Sequence, residues 1–207
     1  IHVLDIYGNP KEGFPFQTGD DVWASASVGD VDNDGLKEIV IGSKDKSLYI
    51  LSNNGEIELS YSANQFLMST PVICELDGDP YKEIVFSGYT SSGDVFAINH
   101  DGSNVDGFPA SLNEKILKGA AVTDLNDNGL DDIVVATETQ NLLCIIWDNG
   151  DIDTLFTAQD KFKSSPTIVK TTFGENFIFV TSNDHNLYAF DTDGNMKFIY
   201  VTLYEIT

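Results

Sequence analysis

The chain has 207 residues, 42% of them hydrophobic, which is enough for one sizeable globular domain with a buried core. Its 11 basic residues are all lysine and stand against 33 acidic ones, a formal net charge of −22. That balance excludes a nucleic-acid binder, because phosphate neutralisation and bidentate guanine contacts need cations, arginine above all. An anionic membrane surface would repel the chain for the same reason. No apolar run approaches a membrane span and no basic-apolar-small leader opens the sequence. The chain therefore reads as a mature or excised segment without direct membrane insertion.

In chain order the same elements return. An apolar strand followed by a few polar residues and glycine ends at Gly8 (IHVLDIYG), Gly55 (LYILSNNG), Gly102 (VFAINHDG), Gly150 (LLCIIWDNG) and Gly194 (LYAFDTDG), in steps of 47, 47, 48 and 44 residues. Each unit also has a small-residue strand (SASV 25–28, STPVIC 69–74, GAAV 119–122, SSPTIV 164–169). An apolar strand (EIVIGS, EIVFSG, DIVVAT, FIFVTS) follows about a dozen residues later. A more variable fourth segment comes after the glycine, such as EIELSYS (56–62) or MKFIYVT (196–202). GFP at 13–15 and 107–109 suits an outer edge strand or its turn. No window carries a sustained 3.6-residue period, so no helix is predicted. Four strands in about 45 residues is the size of a propeller blade. The predicted fold is all-β, a β-propeller of four-stranded antiparallel blades in a single domain, 1–207. Its repeats run approximately 9–55, 56–102, 103–150 and 151–194, with partial units 1–8 and 195–207, as expected for part of a larger propeller. Cys74 and Cys144 fall in apolar runs and read as buried free thiols.

Between the first two strands of unit one lies GDVDNDGLKEIV. Asp30, Asp32 and Asp34 take positions 1, 3 and 5, with Gly35 at 6 and Glu38 at 9. Calcium is a hard cation wanting six to eight oxygens, and alternate carboxylates on a tight loop converge on one ion, with the Leu36 carbonyl at position 7 facing inward. An EF-hand would carry glutamate at position 12, where this chain has Ile41 inside a strand, so the pattern is strand-loop-strand. Unit three repeats it with Asp124, Asn126, Asn128, Leu130 and Asp132, two formal negative charges fewer, which predicts weaker binding. Unit two places Glu75, Asp77, Asp79 and Glu83 on the same positions, but Pro80 replaces the glycine and predicts a distorted loop. Unit four loses the acids and predicts no site. The expected order of occupancy is unit one, unit three, unit two, with two Ca²⁺ sites and a possible third.

These residues resemble the FG-GAP and VCBS-type repeats of integrin α-subunit propellers and their bacterial relatives. The resemblance rests on the D-x-D-x-D-G-x-x-[DE] loop ahead of an apolar strand and spans nearly the whole chain. It implies structural Ca²⁺ at the blade edge, held by the residues above, and adds Tyr81 at position 7 of the second loop. GFP turns and strands such as LYAFDTDG also look like secreted bacterial surface proteins and protease accessory modules. The implied function is a non-enzymatic, calcium-stabilised extracellular module for adhesion or interaction with a protein or polysaccharide. The alternative is the propeller of a secreted polysaccharide lyase, or an accessory domain of a secreted hydrolase.

No catalytic constellation accompanies the loops. His2, His100 and His185 lie near the chain end or in polar turns, in no zinc or nucleophile-base spacing, and read as solvent-facing. Trp23 shares its repeat position with Met68, Leu117 and Lys163, which suits packing. Trp147 stands where other units have Ser52, Asn99 and Asp191, and packing is again the expectation; an exposed tryptophan would instead suit a sugar or a protein partner.

Overall fold

The computed structural model describes residues 1–202; the end of the partial unit 195–207, residues 203–207, lies outside the described residues. Fifteen strands and no helix make up the described chain, so no helix is long and apolar enough to cross a membrane. The first sheet holds β1 (Ser27–Gly29), β2 (Glu38–Gly42), β3 (Ser47–Leu51) and β4 (Ile57–Ser62), hydrogen-bonded in that order. The second holds β5 (Val72–Cys74), β6 (Glu83–Ser87) and β7 (Val95–Ile98). The third runs β8 (Ala121–Thr123), β9 (Asp132–Ala136), β10 (Leu142–Ile146), β11 (Ile152–Thr157). The fourth runs β12 (Thr167–Lys170), β13 (Asn176–Ser182), β14 (Asn186–Asp191), β15 (Met196–Val201). All pairs are antiparallel. The repeat-marking glycines lie in the turns between third and fourth strands, with Gly55, Gly102, Gly150 and Gly194 all at φ of 80–84°.

The sheets stack face to face in series, which explains why the second strands read as unbroken apolar runs. A central strand with a neighbouring sheet on each face has no polar side. All five residues of β2, β6 and β9 are buried. One core joins the first and second sheets (Val40, Leu48, Ile50 with Ile84, Phe86, Phe96, Ile98). Another joins the second and third (Val85, Val95, Ala97 with Ile133, Val135, Cys144, Ile146). The last joins the third and fourth (Val134, Leu143, Ile145 with Ile178, Val180, Tyr188, Phe190). The short first strands touch in succession, β1 to β5, β5 to β8 and β8 to β12, so they form the innermost edge of the stack. Both cysteines are buried and free.

The second sheet departs from the expected four strands. Its fourth place is taken by the irregular segment 104–110, joined to β7 by the bridges Ile98↔Asn104 and Val95↔Ala110. The segment is irregular because Pro109 has no N–H to give a ladder and Gly107 bends against the next sheet. A Cβ on Gly107 would lie 2.0 Å from the Asn149 carbonyl oxygen. The N-terminal residues repeat this hairpin, with Leu4↔Pro10 bridged and Phe16 N–H bonded to the Ile1 carbonyl.

Candidate metal centres

The three acidic loops occupy equivalent places, each joining the first and second strands of its sheet. The position-9 residue opens the second strand and is paired across the ladder: Glu38 with Gly29, Glu83 with Cys74 and Asp132 with Thr123. Pairing fixes these backbones, so each acid side chain enters the loop from a rigid base. Glu38 is 2% exposed and Glu83 and Asp132 are fully buried. Position 4 is left-handed in every loop, with Asn33 at φ 60°, Gly78 at 81° and Asp127 at 59°.

One hydrogen-bond ladder winds through all three. The position-2 amide donates to the position-9 carboxylate: Val31 to Glu38 at 2.9 Å, Leu76 to Glu83, and Leu125 to Asp132 at 2.9 Å. The position-5 amide donates to position 3: Asp34 to Asp32 at 3.2 Å, Asp79 to Asp77 at 3.0 Å and Asn128 to Asn126 at 3.0 Å. The position-7 amide donates to position 5: Leu36 to Asp34, Tyr81 to Asp79 and Leu130 to Asn128, at 2.7–2.8 Å. Gly35 and Gly129 at position 6 donate to Asp30 and Asp124. Pro80 cannot, and Glu75 instead accepts from the position-4 amide of Gly78. Pro80 therefore removes the position-6 bond and leaves the other rungs of the ladder in place. The distortion expected from the sequence is confined to that position, which is left-handed in the first and third loops, with Gly35 at φ 90° and Gly129 at 93°, and not at Pro80.

Carboxylate oxygens converge in two of the loops. Atoms of Asp30, Asp32 and Glu38 lie within 4.8 Å of one another, as do those of Glu75, Asp77 and Glu83. Asp34 and Asp79 stand outside these groups. Two oxygens at the convergence, Asp30 Oδ1 and Glu83 Oε1, are buried without a hydrogen-bond partner among the described residues. An orphaned carboxylate oxygen inside an acidic cluster is costly unless a cation satisfies it. Burial raises the Glu38 carboxyl, and Asp32, Asp34 and Asp30 push it further against the Val31 amide. Burial likewise raises Glu83, to about 7, with Asp77, Glu75 and Asp79 adding to the effect. All-oxygen, anionic and partly desolvated, both groups fit a hard divalent cation.

The third loop brings fewer charges together. Both oxygens of Asp132 accept backbone amides, from Leu125 and, at 3.2 Å, from Asp148. Burial works against ionisation of Asp124, but the amides of Gly129, Asn128, Asp127 and Asn126 hold its carboxyl below the ordinary range. In unit four, β12 and β13 stay paired out to Lys170↔Asn176, so five residues connect them where eight separate Gly29 from Glu38.

Several neighbours take a part at the loops that the sequence did not show. Lys82 Nζ reaches Glu75 Oε2 at 2.5 Å and occupies an oxygen of the second cluster. Asp148 accepts from Asn128 Nδ2 at 2.7 Å. His100, at the equivalent place one unit earlier, stacks on Tyr81 with ring centroids 4.0 Å apart. Its half-buried position differs from the solvent-facing one expected. Aligning the second residue after each third strand would have exposed both. The loops also touch in series: Lys82 N–H donates to the Val31 carbonyl at 2.9 Å and Asp131 N–H to that of Glu75 at 2.7 Å. Trp23 is 62% exposed with Lys44 Nζ 5.2 Å from its ring, so the packing expected there is not observed, whereas Trp147 lies half-buried against the core between the third and fourth sheets.

No protein-family model matches the sequence, and no curated protein does. Solved structures share its fold. The C-terminal domain of Pseudomonas aeruginosa PilY1 superposes with a TM-score of 0.69 at 14% identity, covering 94% of this chain and 56% of that one. BBS1N, solved in complex with ARL6DN, gives 0.64 at 13%, covering 90% and 56%. The V. cholerae biofilm matrix protein Bap1 gives 0.65 at 16%, covering 86% and 28%. This chain thus spans little more than half of the first two and under a third of the last. At such identities the likeness is one of architecture: the chain is a propeller-like, all-β stack of antiparallel sheets.

Proposed function

We propose that the chain is a calcium-stabilised, non-enzymatic propeller module that works outside the cell in adhesion or in interaction with a protein or polysaccharide. The observation that carries this reading is the pair of buried, partnerless oxygens, Asp30 Oδ1 and Glu83 Oε1, each inside a group of three converging carboxylates at the same place in the repeat. Asp30, Asp32 and Glu38 would hold one ion, and Glu75, Asp77 and Glu83 another. Asp124, Asn126, Asn128 and Asp132 supply a weaker third. The order follows from the carboxylates left free of backbone amides, and moves unit two ahead of unit three. Extracellular use follows from the chemistry, since loops of this kind suit affinities of about 10⁻⁴–10⁻³ M.

A closed ring is part of the proposal. Val169, Phe198 and Tyr200 are exposed on the outer face of the fourth sheet. The equivalent face of the third sheet supplies Val134, Ala136, Leu143 and Ile145 to a core. A further blade on that face would bury it as the internal blades are buried. A structure of the full-length polypeptide with this face in solvent would overturn ring closure.

The test of calcium is thermal. At a hundredfold excess over Kd, an ion bound only by the folded state adds about 2.7 kcal/mol, or roughly 5–10 °C in a domain of this size. EDTA should lower the midpoint and Ca²⁺ restore it better than Mg²⁺, which demands a smaller octahedral shell. A midpoint indifferent to chelator and calcium refutes the reading. Cleavage products from a polysaccharide incubated with the protein would overturn its non-enzymatic part.

A further inference from the structure

We propose that the cleft between the third and fourth sheets binds a neutral saccharide, with Trp147 as the platform for a pyranose ring. This names a ligand class for the interaction module inferred above and rests on that reading. The cleft has a volume of about 560 Å³, inside the range of about 300–1,000 Å³ typical of small-molecule sites. It is formed by units three and four, with Leu125 and Asn126 of the third acidic loop at its border, so its shape does not depend on a further blade.

Its frame is rigid. Trp147 packs on the core between the two sheets, and its indole N–H donates to Asp153 Oδ2 at 2.7 Å. The facing wall is the turn between β14 and β15. There Asp191 accepts from Asn195 N at 2.8 Å and Nδ2 at 3.0 Å and pairs with Lys197 Nζ at 2.6 Å. Gly194 brings this wall against Leu155, where an added Cβ would stand 3.3 Å from Leu155 Cδ2. On this frame the side chains of Thr192 and Asp193 line the cleft and make no hydrogen bond within the described residues. A fixed aromatic beside free hydroxyl and carboxylate groups matches a sugar ring, whose C–H face is apolar and whose edge carries hydroxyls.

The charges select a neutral ligand. Asp153 and Asp193 repel uronates and phosphates. A bare cation would find Asp153 engaged by the indole, Lys197 beside Asp193, and one aromatic wall where a cage is needed. The preceding cleft, between the second and third sheets, provides an internal comparison. It is about 430 Å³ and lined by Asp77, Asn99, Asp106 and Asp148, with Asn99 in the place of Trp147. The two clefts occupy the same place in successive units, and beside the platform their walls differ, with Asp77 in the place of Asn126 and Asp148 and Asn149 in those of Thr192 and Asp193.

Calorimetric titration with neutral hexaoses (cello-, laminari- and mannohexaose) tests the site, with octalysine and oligogalacturonate in parallel. The chain has two tryptophans, so a Trp23→Phe background leaves Trp147 as the sole indole reporter. At least one neutral hexaose should bind and shift Trp147 emission. Trp147→Asn, which copies the sibling cleft, should weaken that binding at least about tenfold. Asp193→Ala, at an exposed residue with no side-chain hydrogen bond among the described residues, should weaken it severalfold while leaving the thermal midpoint unchanged. Absence of binding by all three hexaoses, binding untouched by both variants, or emission changes with octalysine or oligogalacturonate alone would each overturn the proposal. Hexaose binding that Trp147→Asn abolishes, in a protein whose melting ignores chelator, would support the saccharide site and overturn only the calcium reading.

Discussion

Glu83 shows how one buried side chain ties stability to proton and metal. Burial and the acids of its loop raise its carboxyl from an ordinary 4.5 to about 7. Between those values the metal-free native state holds a proton that the unfolded chain has released, so stability falls as pH rises. The stabilisation is complete below about 4.5 and gone above about 7, a change of about 3 kcal/mol at 1.36 kcal/mol per pH unit. Glu38 and Asp132, also raised by burial, act in the same direction. Carboxyls held below their ordinary range, such as Asp191 at about 2, act only in more acid solution. In EDTA the urea midpoint should therefore be higher at pH 5 than at pH 8, and Glu83→Gln should flatten the difference. Calcium should reverse the order by favouring the ionised form; a chelated protein more stable at pH 8 would refute the account. Lys82 offers a separate check at the same scale. Its ammonium competes with any cation for Glu75, so Lys82→Met should tighten calcium at the second loop severalfold in calorimetric titration, and weaker binding would show that Lys82 serves as a brace instead.

At the scale of the loop, the ladder matters more than any one turn residue. Left-handed backbone at position 4 is common to Asn33, Gly78 and Asp127, and the second loop keeps the shared rungs although Pro80 denies it the left-handed position 6 of Gly35 and Gly129. The sequence made the repeat, the strands, the loop positions and the buried thiols legible, because each is carried by spacing and apolar pattern. At Pro80 it showed the departure at position 6 but not the shared left-handed position 4 and the rungs that keep the departure local. It was silent on Lys82 and Asp148, and wrong on the exposure of His100, because their part depends on side chains reaching across the loop from outside it. The irregular segment 104–110 was half legible: GFP marked an edge, while the contact of Gly107 with the Asn149–Gly150 turn is set by the neighbouring sheet. The ladder also makes the third loop correctable. Asn126 already accepts the position-5 amide, whereas Asn128 Nδ2 is needed by Asp148, so Asn126→Asp alone should preserve the loop and add a carboxylate. Calcium affinity there should rise about tenfold, on the scale by which ligand charge tunes such sites. An unchanged affinity would mean that Asp132, tied up by Leu125 and Asp148, limits the site.

The whole molecule carries −22 charges on 207 residues, and self-repulsion of that size opposes the compact state in two distinguishable ways. One part acts between distant surface acids and is screened by ordinary salt, since the Debye length is about 8 Å at physiological ionic strength and about 3 Å at 1 M. The other part acts inside the loop clusters, where carboxylate oxygens stand within 4.8 Å of each other and partly out of water. Sodium chloride relieves the first and reaches the second poorly. A coordinated divalent ion relieves the second and satisfies the orphaned oxygens of Asp30 and Glu83. The loops are also bonded in series, through Val31 with Lys82 and Glu75 with Asp131, so an ion that steadies one loop steadies the junction between two sheets. In EDTA, the thermal midpoint should climb as NaCl is raised towards 1 M and level off short of the value reached with millimolar Ca²⁺ at low salt. Adding Ca²⁺ at 1 M NaCl should give a further rise, and Mg²⁺ a smaller one. If NaCl alone recovers the whole shift, the acids act as a diffuse repulsive surface and the loops are turns without a coordinating role.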